Sequence, residues 1–194
     1  MCHGDLAPEG GLVYNSPMSP ESYDDVKDPP TVSADGTPLA TLPDGVTFKD
    51  VPVHVDDRGF IVEAFDPRWG WHPDPLVFSY VFTIRPGKIK GWGMHARHQD
   101  RYFILFGDME VVMYDEREDS PTHGLVAKVV LSEHKRRLMN IPEGIWHANH
   151  NIGDKDVVVV NFPTIPYEHG NPDKYRLPLD TDRIPYTWPE AHGW

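Results

Sequence analysis

The stretch Gly87–Gly107, GKIKGWGMHARHQDRYFILFG, decides the fold of this chain. A glycine turn stands at each end, and two segments with strand character flank a histidine-rich patch. The patch contains His95 and His98, and a carboxylate follows at Asp100. We therefore predict a strand that leads into a polar cluster, then a second strand.

A second block, Pro142–Asn151 (PEGIWHANHN), adds His147 and His150. Side chains from two hairpins can meet inside a small β-barrel, where they form a polar pocket within an apolar shell. We expect the histidines of the two blocks to share one such pocket.

The chain around these blocks has the pattern of short strands separated by turn residues. No stretch with helical periodicity extends beyond two turns, so a sandwich or barrel is favoured. The predicted strands are 46–55, 60–65, 76–84 (buried), 88–94, 101–106, 109–114, 125–132, 137–141, 146–151 and 157–162.

Composition limits the function classes and the domain count. A net charge of −12 over 194 residues argues against nucleic acid as a partner. The single cysteine excludes a disulfide framework within the chain, and no apolar run approaches the roughly 20 residues of a membrane span. We expect a cytoplasmic protein without a membrane anchor. Residues 1–45, rich in proline and acidic side chains, are predicted to be flexible or arm-like, and 46–194 to form one domain with an irregular tail from 163 onward.

Both blocks resemble the two motifs of the cupin superfamily. In the first, Gly87, His95, Asp100 and Gly107 stand at the motif spacings, with Gly93 in place of the first histidine. In the second, Pro142, Gly144, His147 and Asn151 match without a gap. The resemblance implies an all-β, cupin-type double-stranded β-helix (jelly roll).

Within that superfamily the chain resembles the dTDP-4-dehydrorhamnose 3,5-epimerase family. The resemblance rests on DRGFIVE (57–63), GMH (93–95), DEREDSPTHG (115–124), LS (131–132), IPEG (141–144) with His147, and YTWP (186–189). It implies a homodimer without a metal, in which a histidine removes a proton next to the 4-keto group of a dTDP-sugar and a tyrosine returns one.

Site residues follow from the same resemblance. His95 stands where the family has its base, and His147 matches a second pocket histidine. In the segment 57–63, Arg58, Phe60 and Glu63 are expected to contact the nucleotide bound to the neighbouring subunit.

Several positions depart from the family pattern. Tyr80 and Phe82 replace polar residues that line the nucleotide pocket, and Trp92 and Asn161 are expected to line the substrate site. Trp92 replaces an arginine, and Asn161 stands where the catalytic tyrosine is expected. Tyr167 is then the best remaining phenolic acid. Arg101 is a candidate to stabilise an oxyanion or to bind a phosphate.

Two alternative functions stay open. His95, His98, Asp100 and His147 also suit a divalent transition metal, with oxygenase, isomerase or lyase chemistry. Against this, two histidines three residues apart in a regular strand would point to opposite faces. The other alternative is a sugar-nucleotide-binding homologue without catalysis.

Overall fold

The computed structural model describes residues 28–36 and 38–188. The chain divides into two units between Ala40 and Thr41. In the first unit, a single antiparallel bridge joins Val32 and Pro38 among the described residues. Most of the predicted arm, residues 1–27, lies outside the described range, as do residues 189–194 of the tail.

The described part of the second unit is built of β-strands, with one 3-10 turn at Pro67–Trp69. The strands are β1 (Thr47–Asp50), β2 (Val53–Asp56), β3 (Gly59–Val62), β4 (Tyr80–Ile84), β5 (Ile89–Met94), β6 (Asp100–Phe106), β7 (Asp108–Asp115), β8 (Val126–Ser132), β9 (Arg137–Ile141), β10 (Ile145–Asn151), β11 (Val157–Asn161) and β12 (Tyr175–Arg176).

Two five-stranded antiparallel sheets form the body of this unit, with strand orders β1-β9-β6-β11-β4 and β12-β5-β10-β7-β8. Strands β2 and β3 pair with each other as a separate two-stranded sheet. Inward side chains of the two sheets make one apolar core, with Ile104 and Val159 from one sheet and Met113 and Leu131 from the other. This architecture confirms the predicted all-β jelly roll.

Period-two alternation decides which side chains face this interior. In β6, Tyr102 and Ile104 point into the central core, whereas Phe103 packs on the outer face of its sheet. In β5, Trp92 packs on the outer face of the other sheet, against Ile184 and Trp188 of the C-terminal segment. Both sheets are therefore covered on two sides, and polar residues at inward positions become buried.

Glycines allow the turns and one close approach between strands. Gly87 and Gly107 have φ values of +67° and +85°, the left-handed region that favours glycine, and these confirm the two predicted turns. Inside β5, a Cβ added to Gly91 would lie 2.2 Å from the Cβ of Ala148. Only glycine therefore fits where β5 packs against β10.

Two strand predictions were wrong in detail. The segment 46–55 breaks after Asp50 into β1 and β2, with Pro52 at the break, where proline cannot donate a backbone hydrogen bond. The segment 76–84 is not a buried strand, because only Tyr80–Ile84 pairs, at a sheet edge, and Val81 is 60% exposed. Among the described residues, no helix has the length and apolar character needed to cross a membrane.

Candidate active site

The candidate site lies where the loop 95–99 joins β5 to β6. Because β5 ends at Met94 and β6 begins at Asp100, His95 and His98 sit in a turn rather than in a strand. Their rings stack with centroids 4.0 Å apart. A bend before Asp100 thus replaces the regular strand that would have pointed the two histidines to opposite faces.

Asp100 is the centre of the site, and it is 1% exposed. Asn161 donates a hydrogen bond to Oδ1 (2.6 Å) and the Tyr102 hydroxyl donates one to Oδ2 (3.1 Å). The Nε2 atoms of His95 and His147 lie 3.3 and 3.4 Å from the same Oδ2. A buried carboxylate with this many partners stays ionised.

Each of the three histidines has its Nδ1 next to an oxygen that can only accept. His95 Nδ1 donates to the main-chain carbonyl of Asp173, His98 Nδ1 to the carboxylate of Asp173 (2.8 Å), and His147 Nδ1 to the carbonyl of Ile145 (3.1 Å). The second proton of any imidazolium must then sit on Nε2, the atom near Asp100. Nε2 is therefore the atom at which each of these rings can gain or lose a proton.

The charges and the burial of the cluster shift its pKa values in opposite directions. Burial lowers the pKa of His95, but the hydrogen bond and charge of Asp100 and the Asp173 carbonyl outweigh it, so this pKa is raised. Burial lowers the pKa of His98, and the neighbouring His95 lowers it further. Burial raises the pKa of Asp100, but His147 and His95 hold it well below its usual range. Between these two stacked imidazoles, the proton favours His95.

Two cavities meet at this cluster. An inner cavity of about 120 Å³ and an outer one of about 380 Å³ share His95, Tyr80 and Lys174 in their walls. The inner cavity also contains the side chains of Lys90 and Arg176. Asp100 and three cationic side chains therefore line the same space, which suits a ligand with a neutral reacting part and an anionic substituent.

The structure brings some of the predicted site residues together. His95 and His147 line the inner cavity, and the Asn161 side chain binds the carboxylate below it. Tyr167 is 45% exposed and lies in the wall of the outer cavity. Whether Tyr167 takes part in catalysis stays a prediction.

Other predicted residues lie elsewhere in the single chain. Trp92 is fully buried behind its sheet. The Arg101 guanidinium is also buried and donates to main-chain carbonyls, those of Phe162 (2.6 Å), Asp74 (2.7 Å) and Pro75 (2.9 Å). Neither side chain lines the two cavities. Arg101 instead ties the loop before β4 to the segment after β11.

The segment predicted to reach a neighbouring subunit forms the hairpin β2-β3 and the residues after it. Arg58 pairs with Asp56 at the tip, and both side chains are largely exposed. Phe60 lines a separate surface cavity with Arg58, and Glu63 directly follows β3. Within one chain, these residues do not line either cavity at His95. Their contact with a nucleotide stays a prediction.

Sequence reasoning missed several residues of the site. Tyr102 and Asn149 stand two positions after Asp100 and His147, so strand alternation alone could have placed them in the pocket. Asn149 donates to the Tyr102 hydroxyl (3.4 Å). Asp173 and Lys174 belong to the irregular tail, where no periodic pattern marks them.

Comparison with known proteins gives the family. The family model for dTDP-4-dehydrorhamnose 3,5-epimerase matches residues 40–188. The probable low-salt glycan biosynthesis epimerase Agl13 of Haloferax volcanii is 38% identical over 76% of this chain and 96% of its own. The spore coat polysaccharide biosynthesis protein SpsL of Bacillus subtilis is 33% identical over 75% of this chain and 95% of its own.

A solved structure is also similar to this chain in fold and sequence. The crystal structure of a dTDP sugar isomerase from Desulfovibrio desulfuricans G20 superposes with a TM-score of 0.70 at 27% identity, covering 77% of this chain and 95% of the other. The family model, the relative Agl13 and this solved structure are each named as an epimerase or isomerase. The chain therefore belongs to the dTDP-4-dehydrorhamnose 3,5-epimerase family.

Proposed function

We propose that the protein epimerises a nucleotide-linked 4-keto sugar, with His95 as the base that removes a proton from the carbon next to the ketone. The observation that carries the proposal is the fixed tautomer of His95. Its Nδ1 donates to the Asp173 carbonyl, so the neutral ring has its free lone pair on Nε2, and the residue lines both cavities. That atom is the one able to accept a substrate proton.

Asp100 supports this role through its charge. When Nε2 takes a proton, the imidazolium lies 3.3 Å from the ionised Oδ2 of Asp100. A buried opposite charge stabilises the protonated ring, which makes His95 a stronger base than a solvated imidazole.

The cationic side chains that line the inner cavity favour a substrate with an anionic substituent. Lys90, Lys174 and Arg176 line it in a chain whose net charge is −12. Burial lowers the pKa of Lys174, and the charges of Arg176 and Lys90 lower it further, so the three cations lie close together. A diphosphate would relieve this repulsion. The family name makes dTDP the first nucleotide to test.

The outer cavity suits the nucleoside end of such a substrate. Phe78, Tyr80 and Tyr167 supply aromatic rings in its wall. Aromatic faces stack on nucleobases, an interaction typically worth about 1–3 kcal/mol per base. We expect the sugar near His95, the phosphates near Lys174 and the base in the outer cavity.

We further propose a homodimer in which the hairpin β2-β3 contributes to the neighbouring site. Val55 is 76% exposed beside its pair partner Phe60 at 41%, and Ile61 on the other face of the hairpin is 73% exposed. Adjacent exposed apolar side chains such as Val55 and Phe60 often mark a surface that a partner covers. Sedimentation at micromolar concentration should show a dimer. A monomer would remove the role predicted for Arg58.

Solvent exchange tests the base. The protein is incubated in D2O with a panel of nucleotide-linked 4-keto sugars, and deuterium next to the ketone is measured by NMR. We expect uptake in the wild type and a rate lower by about two to four orders of magnitude in His95→Gln. The matched control is His134→Gln, which changes an exposed histidine in a turn. Binding without exchange by the wild type would instead support a non-catalytic sugar-nucleotide-binding protein.

A second candidate function, metal-dependent chemistry, is favoured by the same cluster. One ligand atom each from His95, His98 and Asp100 lies within 4.8 Å of the others. Nδ1–H groups held by oxygen acceptors are also typical of metal-binding histidines. If a divalent metal binds here, it should survive dialysis stoichiometrically, and a chelator should lower both exchange and Tm. Exchange and Tm unchanged by the chelator would support the base mechanism.

A further inference from the structure

We propose that the Tyr80 hydroxyl is the acid that returns a proton to the substrate carbon after His95 has removed one. The assignment rests on the proposed epimerase function, and it adds a second catalytic residue to it. By family position, Tyr80 replaces a polar residue of the nucleotide pocket, which does not predict an acid. Its catalytic role follows from the hydrogen bonds of its neighbour across the sheet.

That neighbour is Asn161, which pairs with Tyr80 across β11 and β4. The orientation of its amide is determined by three partners. Its Oδ1 accepts from the main-chain N–H of Arg101 (3.0 Å), and its Nδ2 donates to Oδ1 of Asp100 (2.6 Å) and to the Tyr80 hydroxyl (2.9 Å). The phenol oxygen of Tyr80 is therefore an acceptor in this contact, and its own proton is left available for a ligand.

The position of Tyr80 fits a proton donor to the substrate. It lines both cavities, as His95 does, so a substrate that reaches the base also meets this phenol. Burial raises the pKa of Tyr80, and the charge of Asp100 adds to the effect. The phenol is thus protonated throughout the neutral pH range.

The other phenols near the site are placed differently. Tyr102 also lines the inner cavity, but its hydroxyl donates its proton to Asp100 (3.1 Å) and accepts a hydrogen bond from Asn149. Tyr167 lines only the outer cavity. Among these three, Tyr80 alone combines access to the inner cavity with a hydroxyl proton not already donated to Asp100.

The proposed steps balance without a further reactant. The His95 Nε2 takes the proton from the carbon, and the electrons of that C–H bond form the enolate. The enolate then takes the proton of the Tyr80 hydroxyl at the same carbon, on the face opposite His95, the ketone re-forms, and a tyrosinate remains. Solvent returns a proton to Tyr80 and receives one from His95, so the net change is an inverted carbon centre.

Comparison of two rates in one variant tests the assignment. Tyr80→Phe keeps the ring and removes only the hydroxyl. We expect its deuterium exchange to stay within a few-fold of the wild type, while formation of the epimer falls by about two to four orders of magnitude. The control is Tyr175→Phe, which removes an exposed hydroxyl outside both cavities and should leave the ratio of the two rates unchanged.

Several outcomes would overturn the proposal. Epimer formation at the wild-type rate in Tyr80→Phe would do so, and so would a parallel loss of exchange and product. If Tyr167→Phe instead keeps deuterium exchange and loses epimer formation, the acid is Tyr167. If the wild type shows no exchange with any sugar, the proposed function itself fails. Tyr80→Met provides the same comparison if the Phe variant does not fold.

Discussion

Asp100→Asn is the most informative change to the candidate site, because it removes a charge while keeping the shape. The amide oxygen can still accept from Asn161, and the amide N–H can donate to the His95 Nε2. The Tyr102 hydroxyl, which loses Oδ2 as its acceptor, can donate to the His147 Nε2 at 3.2 Å. The variant should therefore fold, and the effects of the charge can be measured apart from those of a cavity.

The stability effect follows from the contacts. Hydrogen bonds to charged groups contribute about 1.5–3 kcal/mol, and neutral ones about 0.5–1.5 kcal/mol. Replacing the 3.3 Å contact between Asp100 and protonated His95 by a neutral bond should thus cost about 1–2 kcal/mol. For a chain of this size each kcal/mol lowers Tm by about 2–4 °C, so we expect a decrease of about 2–8 °C.

The pH dependence has a defined sign. The pKa of His95 is raised above 6.5, so its contribution to stability is complete below pH 6.5 and is lost as the pH rises through the folded-state value. The pKa of Asp100 lies below 3.8, so its contribution is complete above that value and is lost in stronger acid. The difference in Tm between wild type and Asp100→Asn should therefore be largest between about pH 4 and 6.5.

Activity should respond to the same charge. Only neutral His95 can accept a proton, so the exchange rate of the wild type should rise with pH, with its midpoint above 6.5. In Asp100→Asn burial is no longer opposed by the carboxylate, and the midpoint should move to lower pH. The rate of deuterium exchange is measured by NMR at a series of pH values from about 5 to about 9. An unchanged midpoint in the variant would refute the coupling between Asp100 and His95.

Two further predictions concern the scaffold around the site. Gly91→Ala would place a Cβ 2.2 Å from the Cβ of Ala148, so urea unfolding should show a loss of about 1–3 kcal/mol or more; Gly93→Ala, whose added Cβ meets its nearest atom at 4.0 Å, should change stability much less. Arg101→Met should lower the free energy of unfolding by about 3–5 kcal/mol in the same assay, because the carbonyls before β4 and after β11 lose charged donors. Unchanged stability with a raised KM would instead support the predicted substrate contact.

The sequence alone determined the elements of the fold and part of the site. Glycines at 87 and 107 marked the turns, and apolar segments between turn residues marked most of the strands. The two motif blocks also predicted one pocket for their histidines, and His95 and His147 line the same cavity. The turns and strands depend on local sterics, which act between residues close in the chain and leave a pattern in the sequence. The resemblance to the family depends on the same motifs.

Only the tertiary structure decided how the site is completed. His95 and His98 stack because the strand ends at Met94, and the tail supplies Asp173, whose oxygens fix both rings. The Tyr80 hydroxyl keeps its proton for a ligand because Asn161, 81 positions away, donates a hydrogen bond to it. Contacts between residues this distant depend on the packing of whole sheets, and no local pattern in the sequence records them.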